Sequence, residues 1–121
     1  MKTAMRSWTE LTMKEKVNDM AISISGGYEE SLGQWLFSIA GEVDISNAPQ
    51  LKAELEKAYE QQAADIFLDV SEMNYIDSSG LGVIIGVLER IRDTGHRIVL
   101  VEPRENVKKL LRITSLDKVL C

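Results

Sequence analysis

Residues 73–90 read MNYIDSSGLGVIIGVLER: an apolar run stops at Asp77-Ser78-Ser79-Gly80, and apolar residues then recur every three or four positions. That order predicts a strand, a polar turn and a helix. Asp77 ends the strand, Ser78 is placed to cap the helix and Ser79 to start its first turn, while Gly80 lets another chain approach the backbone closely. Projected at about 100° per residue, Leu81, Ile84, Ile85, Leu88 and Ile91 share one face and form the expected core stripe. Opposite them stand Gly82, Gly86 and Arg90, flanked by Val83. Each glycine inside a helix costs about 0.8–1 kcal/mol relative to alanine, so an outward glycine stripe calls for a reason. Close packing within the domain is one reason; a smooth surface on which a partner docks beside Ser78 is another.

Working outward, MAISIS (20–25) and QWLFSIA (34–40) are short and strand-like. GGYEESLG lies between them, and its glycines mark the turn of an antiparallel hairpin. Asn47 can cap a helix with Pro49 in its first turn, and Leu51, Leu55 and Ala58 carry it to about Gln61. DIFLDV (65–70) is a compact strand, and the Ser78 helix runs to about Arg92. RIVLVE (97–102) shows little alternation, as expected of a strand covered on both faces. Pro103 stops it before a last helix over 104–114. Strands alternating with helices imply right-handed crossovers and a mostly parallel sheet, here with an antiparallel hairpin strand at its start. The fold class is α/β with about three main helices, a domain over 20–121 and an N-terminal extension over 1–19. Within the extension, Ser7 and Glu10 have capping-box spacing, and Trp8 and Leu11 are its notable apolar residues.

A chain of 121 residues fits one domain and buries roughly two thirds of its unfolded surface, enough to fold without staples. Its 45% apolar and 27% charged residues are globular in balance. A net charge of −5 repels phosphate backbones and anionic membranes, which disfavours nucleic acid as a partner. The single cysteine, Cys121, rules out an intrachain disulfide and a cysteine cluster for zinc, and it suits a reducing cytoplasm. No signal peptide or membrane-spanning run is apparent in the sequence.

The turn could be read as chemistry. Asp77, Ser78 and the lone His96 supply the residue types of a catalytic triad. His96, however, follows the end of the helix that Ser78 begins, roughly 20 Å away along its axis. No G-x-S-x-G elbow, P-loop or dinucleotide fingerprint is present, and His96 and Cys121 lack companions at metal-ligand spacing. The expectation is therefore a protein that is not an enzyme and uses no metal or cofactor. A phosphate on Ser78 would meet a helix N-terminus, which favours its charge, so the domain would keep its fold while its docking surface changed. A partner built for a neutral hydroxyl would reject that surface.

With these elements in place, the chain resembles a STAS domain, specifically a bacterial anti-sigma factor antagonist. The resemblance covers roughly 20–120 and is carried by GEVDISNAP, LDVSEMNYIDSSGLG and ENVKKLLRITSLDKVL. It implies partner switching. The unphosphorylated protein binds an anti-sigma factor that is also a serine kinase and frees the sigma factor; phosphorylation of Ser78 abolishes binding; a phosphatase restores it. The resemblance also places Asp44 on the loop beside Ser78, where it and Asp77 would flank the hydroxyl, and gives Gly80, Gly82 and Val83 a part in the contact surface; Ser79 and Gly86, from the reading of the turn and the glycine stripe, complete the expected switch surface. It implies a cytoplasmic monomer or weak homodimer without direct contact to nucleic acid or membrane. The alternative within the family is a STAS scaffold or sensor subunit of a larger signalling assembly.

Overall fold

The computed structural model describes residues 22–121, so the expectations for the N-terminal extension lie outside the described residues. Among the described residues eight elements follow in order: β1 (Ser23–Glu29), β2 (Gln34–Val43), α1 (Ala48–Gln61), β3 (Asp65–Ile76), α2 (Ser78–Arg92), β4 (Ile98–Val101), α3 (Glu105–Ile113) and the short α4 (Asp117–Leu120). The strands form one sheet in the order β1-β2-β3-β4. The β1–β2 pair is antiparallel, and β2–β3 and β3–β4 are parallel. The α/β class and the mixed, mostly parallel sheet are those expected from the sequence.

The hairpin is built differently from the expectation. Gly26 and Gly27 lie inside β1, paired with Phe37 and Leu36, and the turn falls at 30–33, where the Leu32 and Gly33 amides donate to the Glu29 carbonyl. Gly26 has a φ of +129°, and a β-carbon there would stand 2.0 Å from the Leu36 carbonyl oxygen. Its glycine therefore serves close strand approach and not the turn.

Trp35, Phe37 and Ile39 are buried and alternate with exposed Leu36 and Ser38. The register places Ile66 beside Trp35 and Leu68 beside Phe37, with Ile98 and Leu100 next to them on β4. One sheet face thus forms the core with Leu51, Leu55, Ile84 and Leu111. Phe67, Val99 and Val101 on the other face are only half-buried, so β4 alternates in burial and is not covered equally on both faces.

Helix α2 departs from its helical-wheel reading at two positions. Val87 is buried beside Leu81, Ile84, Leu88 and Ile91, whereas Ile85 is half-buried at the margin of the core. The real stripe is rotated slightly toward α1, the helix against which α2 packs.

Candidate functional site

The site forms where β2 and β3 end. The Asp77 amide donates to the Val43 carbonyl at 3.1 Å, tying the β3–α2 turn to the residue before Asp44. Asp77 has extended backbone angles, and its Oδ1 accepts the Ser79 amide at 2.9 Å and the Gly80 amide at 3.2 Å. Asp77 is therefore the helix cap. This corrects the expectation that Ser78 caps: Ser78 is the first residue of the helix, and it is exposed. A carboxylate at this position satisfies two orphan N–H groups and places negative charge at the positive end of the helix dipole.

Gly80 is buried, and a β-carbon there would lie 2.6 Å from Val43 Cγ1 and 2.7 Å from Ile76 Cγ1. The close approach it permits is that of its own chain, where α2 crosses the ends of β2 and β3. Gly82 and Gly86 differ. Both are exposed, and a β-carbon on either would meet none of the described residues within 4 Å. Close packing among the described residues therefore does not account for them. They line a groove of about 480 Å³ between α1 and α2, together with Lys52, Glu56, Ser79, Val83 and Val87. Arg90 bounds the far end of the helix pair through ion pairs to Glu56 (3.3 Å) and Glu60 (3.5 Å).

Asp44 sits in the β2–α1 loop. Its Oδ1 accepts the Ser46 amide at 2.9 Å and the Ser46 hydroxyl at 2.6 Å. The hydroxyl bond first, and then the amide bond, hold its carboxyl below the ordinary aspartate value. Asn47 stabilises this loop and does not cap α1 with its side chain: its Oδ1 accepts the Asp44 amide at 2.9 Å, and its Nδ2 donates to the Glu42 carbonyl at 2.8 Å. The loop is thus fixed on both sides of Asp44.

Two apolar residues escaped the sequence reading. Ile45 is 76% exposed and Tyr75 is 47% exposed; the first follows Asp44, and the second lies two residues before Asp77, paired with Glu42. Both apolar groups are thus exposed at the end of the sheet that carries the polar turn. No periodicity could have shown their exposure, because it depends on where the sheet ends.

His96 lies beyond the far end of α2, with Nδ1 3.3 Å from Asp65 Oδ1 and its ring edge-on to Tyr59. The fifteen-residue α2 separates it from Ser78, so no triad is assembled. Among the described residues, no group of three His, Cys, Asp or Glu side chains could hold a metal ion.

A family model for STAS domains matches residues 28–120. The chain belongs to the STAS domain family. Curated relatives of this STAS domain are anti-sigma-B factor antagonists. That of Bacillus subtilis is 34% identical over 83 residues, spanning 69% of this chain and 75% of the relative. That of Listeria monocytogenes is 32% identical over 82 residues, spanning 68% and 72%. The fold is also that of the Bacillus cell fate determinant SpoIIAA in its phosphorylated form, with a TM-score of 0.63 at 20% identity, covering 83% of this chain and 88% of the other.

Proposed function

We propose that this STAS domain is an anti-sigma factor antagonist that works by partner switching, with Ser78 as the switch residue. Unphosphorylated, it binds an anti-sigma factor that is also a serine kinase, and the sigma factor is released. Phosphorylation of Ser78 abolishes the complex, and a phosphatase restores it. Ser78 is a substrate in this scheme and not a nucleophile.

The observation that carries the reading is the division of labour at the turn: Asp77 caps α2, and the exposed Ser78 hydroxyl is not needed for that cap. The surroundings fit a docking surface. Ile45 and Tyr75 offer exposed apolar contacts, Gly82 and Gly86 open the groove beside Val83 and Ser79, and Asp44 and Asp77 place carboxylates at the same end of the sheet. A phosphate added there is tolerated by the helix N-terminus but sets two negative charges beside carboxylates, which a partner complementary to the neutral turn rejects. The solved phosphorylated form of SpoIIAA, a protein of like fold, supports the same chemistry. No described helix is long and apolar enough to cross a membrane, and the cytoplasm, as monomer or weak homodimer, is the setting in which such a kinase and phosphatase would meet it.

The test is incubation with each candidate anti-sigma kinase of the same genome and ATP, followed by mapping of the phosphate by mass spectrometry. Phosphate on Ser78, and a stable complex only before its transfer, are expected. Transfer to another residue, or none with any cognate kinase, overturns the reading.

A further inference from the structure

Strand β3 outruns its neighbour. Its pairing with β4 extends only from Ile66–Ile98 to Asp69–Val101, yet β3 continues to Ile76, so among the described residues no strand lies beside 70–76 on that edge. On the other edge, pairing with β2 persists to Val43–Ile76 but is interrupted by register shifts between Ser38 and Ala40 and between Gly41 and Glu42. The overhang that ends in Asp77 and Ser78 is therefore the least regularly held part of the sheet.

Two side chains take the place of the missing strand. Arg104 Nε donates to the Ser71 carbonyl at 2.9 Å, and Asn106 Nδ2 donates to the Asn74 carbonyl at 2.8 Å. Both come from the start of α3, whose first turn is closed by the Lys108 amide on the Arg104 carbonyl at 2.8 Å. The chain reaches that position through Glu102, a non-glycine residue with a φ of +60°. Such a conformation persists only where its surroundings hold it. The two bonds fall three residues apart along β3, and the second lies three residues, roughly 10 Å, before Asp77.

We propose that Arg104 and Asn106 are positioning residues for the switch turn: by bonding the Ser71 and Asn74 carbonyls they hold the β3 overhang, and through it the arrangement of Asp77 and Ser78. The consequence for switching rests on the partner-switching reading above; the latch itself does not. Exposed side-chain bonds of this kind contribute little to global stability but set how often a local segment opens.

The test is amide hydrogen exchange, followed by NMR, on the full chain carrying Arg104→Ala and Asn106→Ala. Exchange over 72–80 is expected to quicken roughly three- to tenfold, with local opening of the β1–β2 hairpin unchanged and the melting temperature lowered by only a few degrees. Asn106→Asp, which keeps the shape but loses the donor, should act like Asn106→Ala. Unchanged exchange over 72–80, a uniform rise across the sheet, or an Asn106→Asp variant that behaves like the unsubstituted chain overturns the latch. With a cognate kinase, kcat/KM for phosphate transfer to Ser78 should fall roughly two- to fivefold, because a looser turn must be ordered on docking. Faster exchange with unchanged kcat/KM overturns the link to switching. A native chain that takes no phosphate on Ser78 defeats the partner-switching reading, and exchange alone then decides the latch.

Discussion

The Asp77 amide bonds the Val43 carbonyl at 3.1 Å, so the end of β3 is fixed to the end of β2 at the residue from which α2 starts. The same residue spends its carboxylate on the Ser79 and Gly80 amides. Structure at this turn therefore rests on Asp77, and Ser78 is left exposed. Asp77→Ala should lose about 0.5–2 kcal/mol of stability, the usual range for a lost cap. Ser78→Ala should stay within about 0.5 kcal/mol. Denaturant unfolding of the two variants checks both; a larger loss at Ser78 than at Asp77 would return the capping role to the serine.

The glycines of α2 should split in the same way. At Gly80 an added methyl meets Val43 and Ile76 at 2.6 and 2.7 Å, and overpacking of this kind outweighs the better helix propensity of alanine. Gly80→Ala is expected to destabilise by a net amount on the order of 1–2 kcal/mol. At Gly82 and Gly86 the methyl enters open space, so each alanine should stabilise by about 0.4–1 kcal/mol. The partner complex should weaken at the same time, because both methyls project into the groove. A raised melting temperature with unaltered partner affinity would remove these glycines from the docking surface.

Much of this arrangement was legible in the sequence, because hydrophobic spacing carries it: the strand runs, the three main helices and the turn between β3 and α2 all follow from periodicity and polar punctuation. What periodicity does not encode is where a glycine's missing side chain is used. Gly26 and Gly27 suggested a turn, yet Gly26 serves the close passage of β1 over the Leu36 carbonyl. Gly80 suggested a partner's approach, yet α2 itself uses the space. The polar SEMNYI segment concealed the length of β3, since its pairing with β2 runs through two irregularities. Aspartate and serine are both good caps, so residue type does not separate Asp77 from Ser78, and only backbone geometry does. Exposure of Ile45 and Tyr75 depends on where the sheet ends, a tertiary fact.

Acid should act on the Asp44 loop in a defined direction. The Ser46 hydroxyl and amide hold the Asp44 carboxyl below its ordinary value. A folded pKa below the unfolded one contributes stability above the unfolded pKa, and that contribution is lost as pH falls through the folded value. Ser46→Ala removes the larger cause, so the Asp44 carboxyl should titrate closer to its ordinary value. The stability gap between native and Ser46→Ala chains should be present at neutral pH and close in acid. Titration of the Asp44 carboxyl carbon by NMR measures the shift directly; an unmoved Asp44 in the variant would show that the hydroxyl bond is not its cause.

Binding and stability should separate most clearly at the surface around Ser78. Ser78→Asp adds a charge to the first turn of α2, where the helix dipole favours it, so the melting temperature should hold within a few degrees. Affinity for the kinase partner should fall at least about tenfold, because the charge must be desolvated against a surface complementary to a hydroxyl. Ile45→Ala and Tyr75→Ala test the same interface from its apolar side. Ile45 is mostly solvated and Tyr75 about half so in the free chain, so truncation should leave folding intact, while an interface anchor loses more than about 1 kcal/mol of binding. Calorimetric titration of each variant against the partner identified by phosphate transfer separates the cases. If Ser78→Asp binds like the native chain, charge at this turn is not the switch; if only the two alanine variants bind like the native chain, the partner engages the groove side of α2 and not the strand ends.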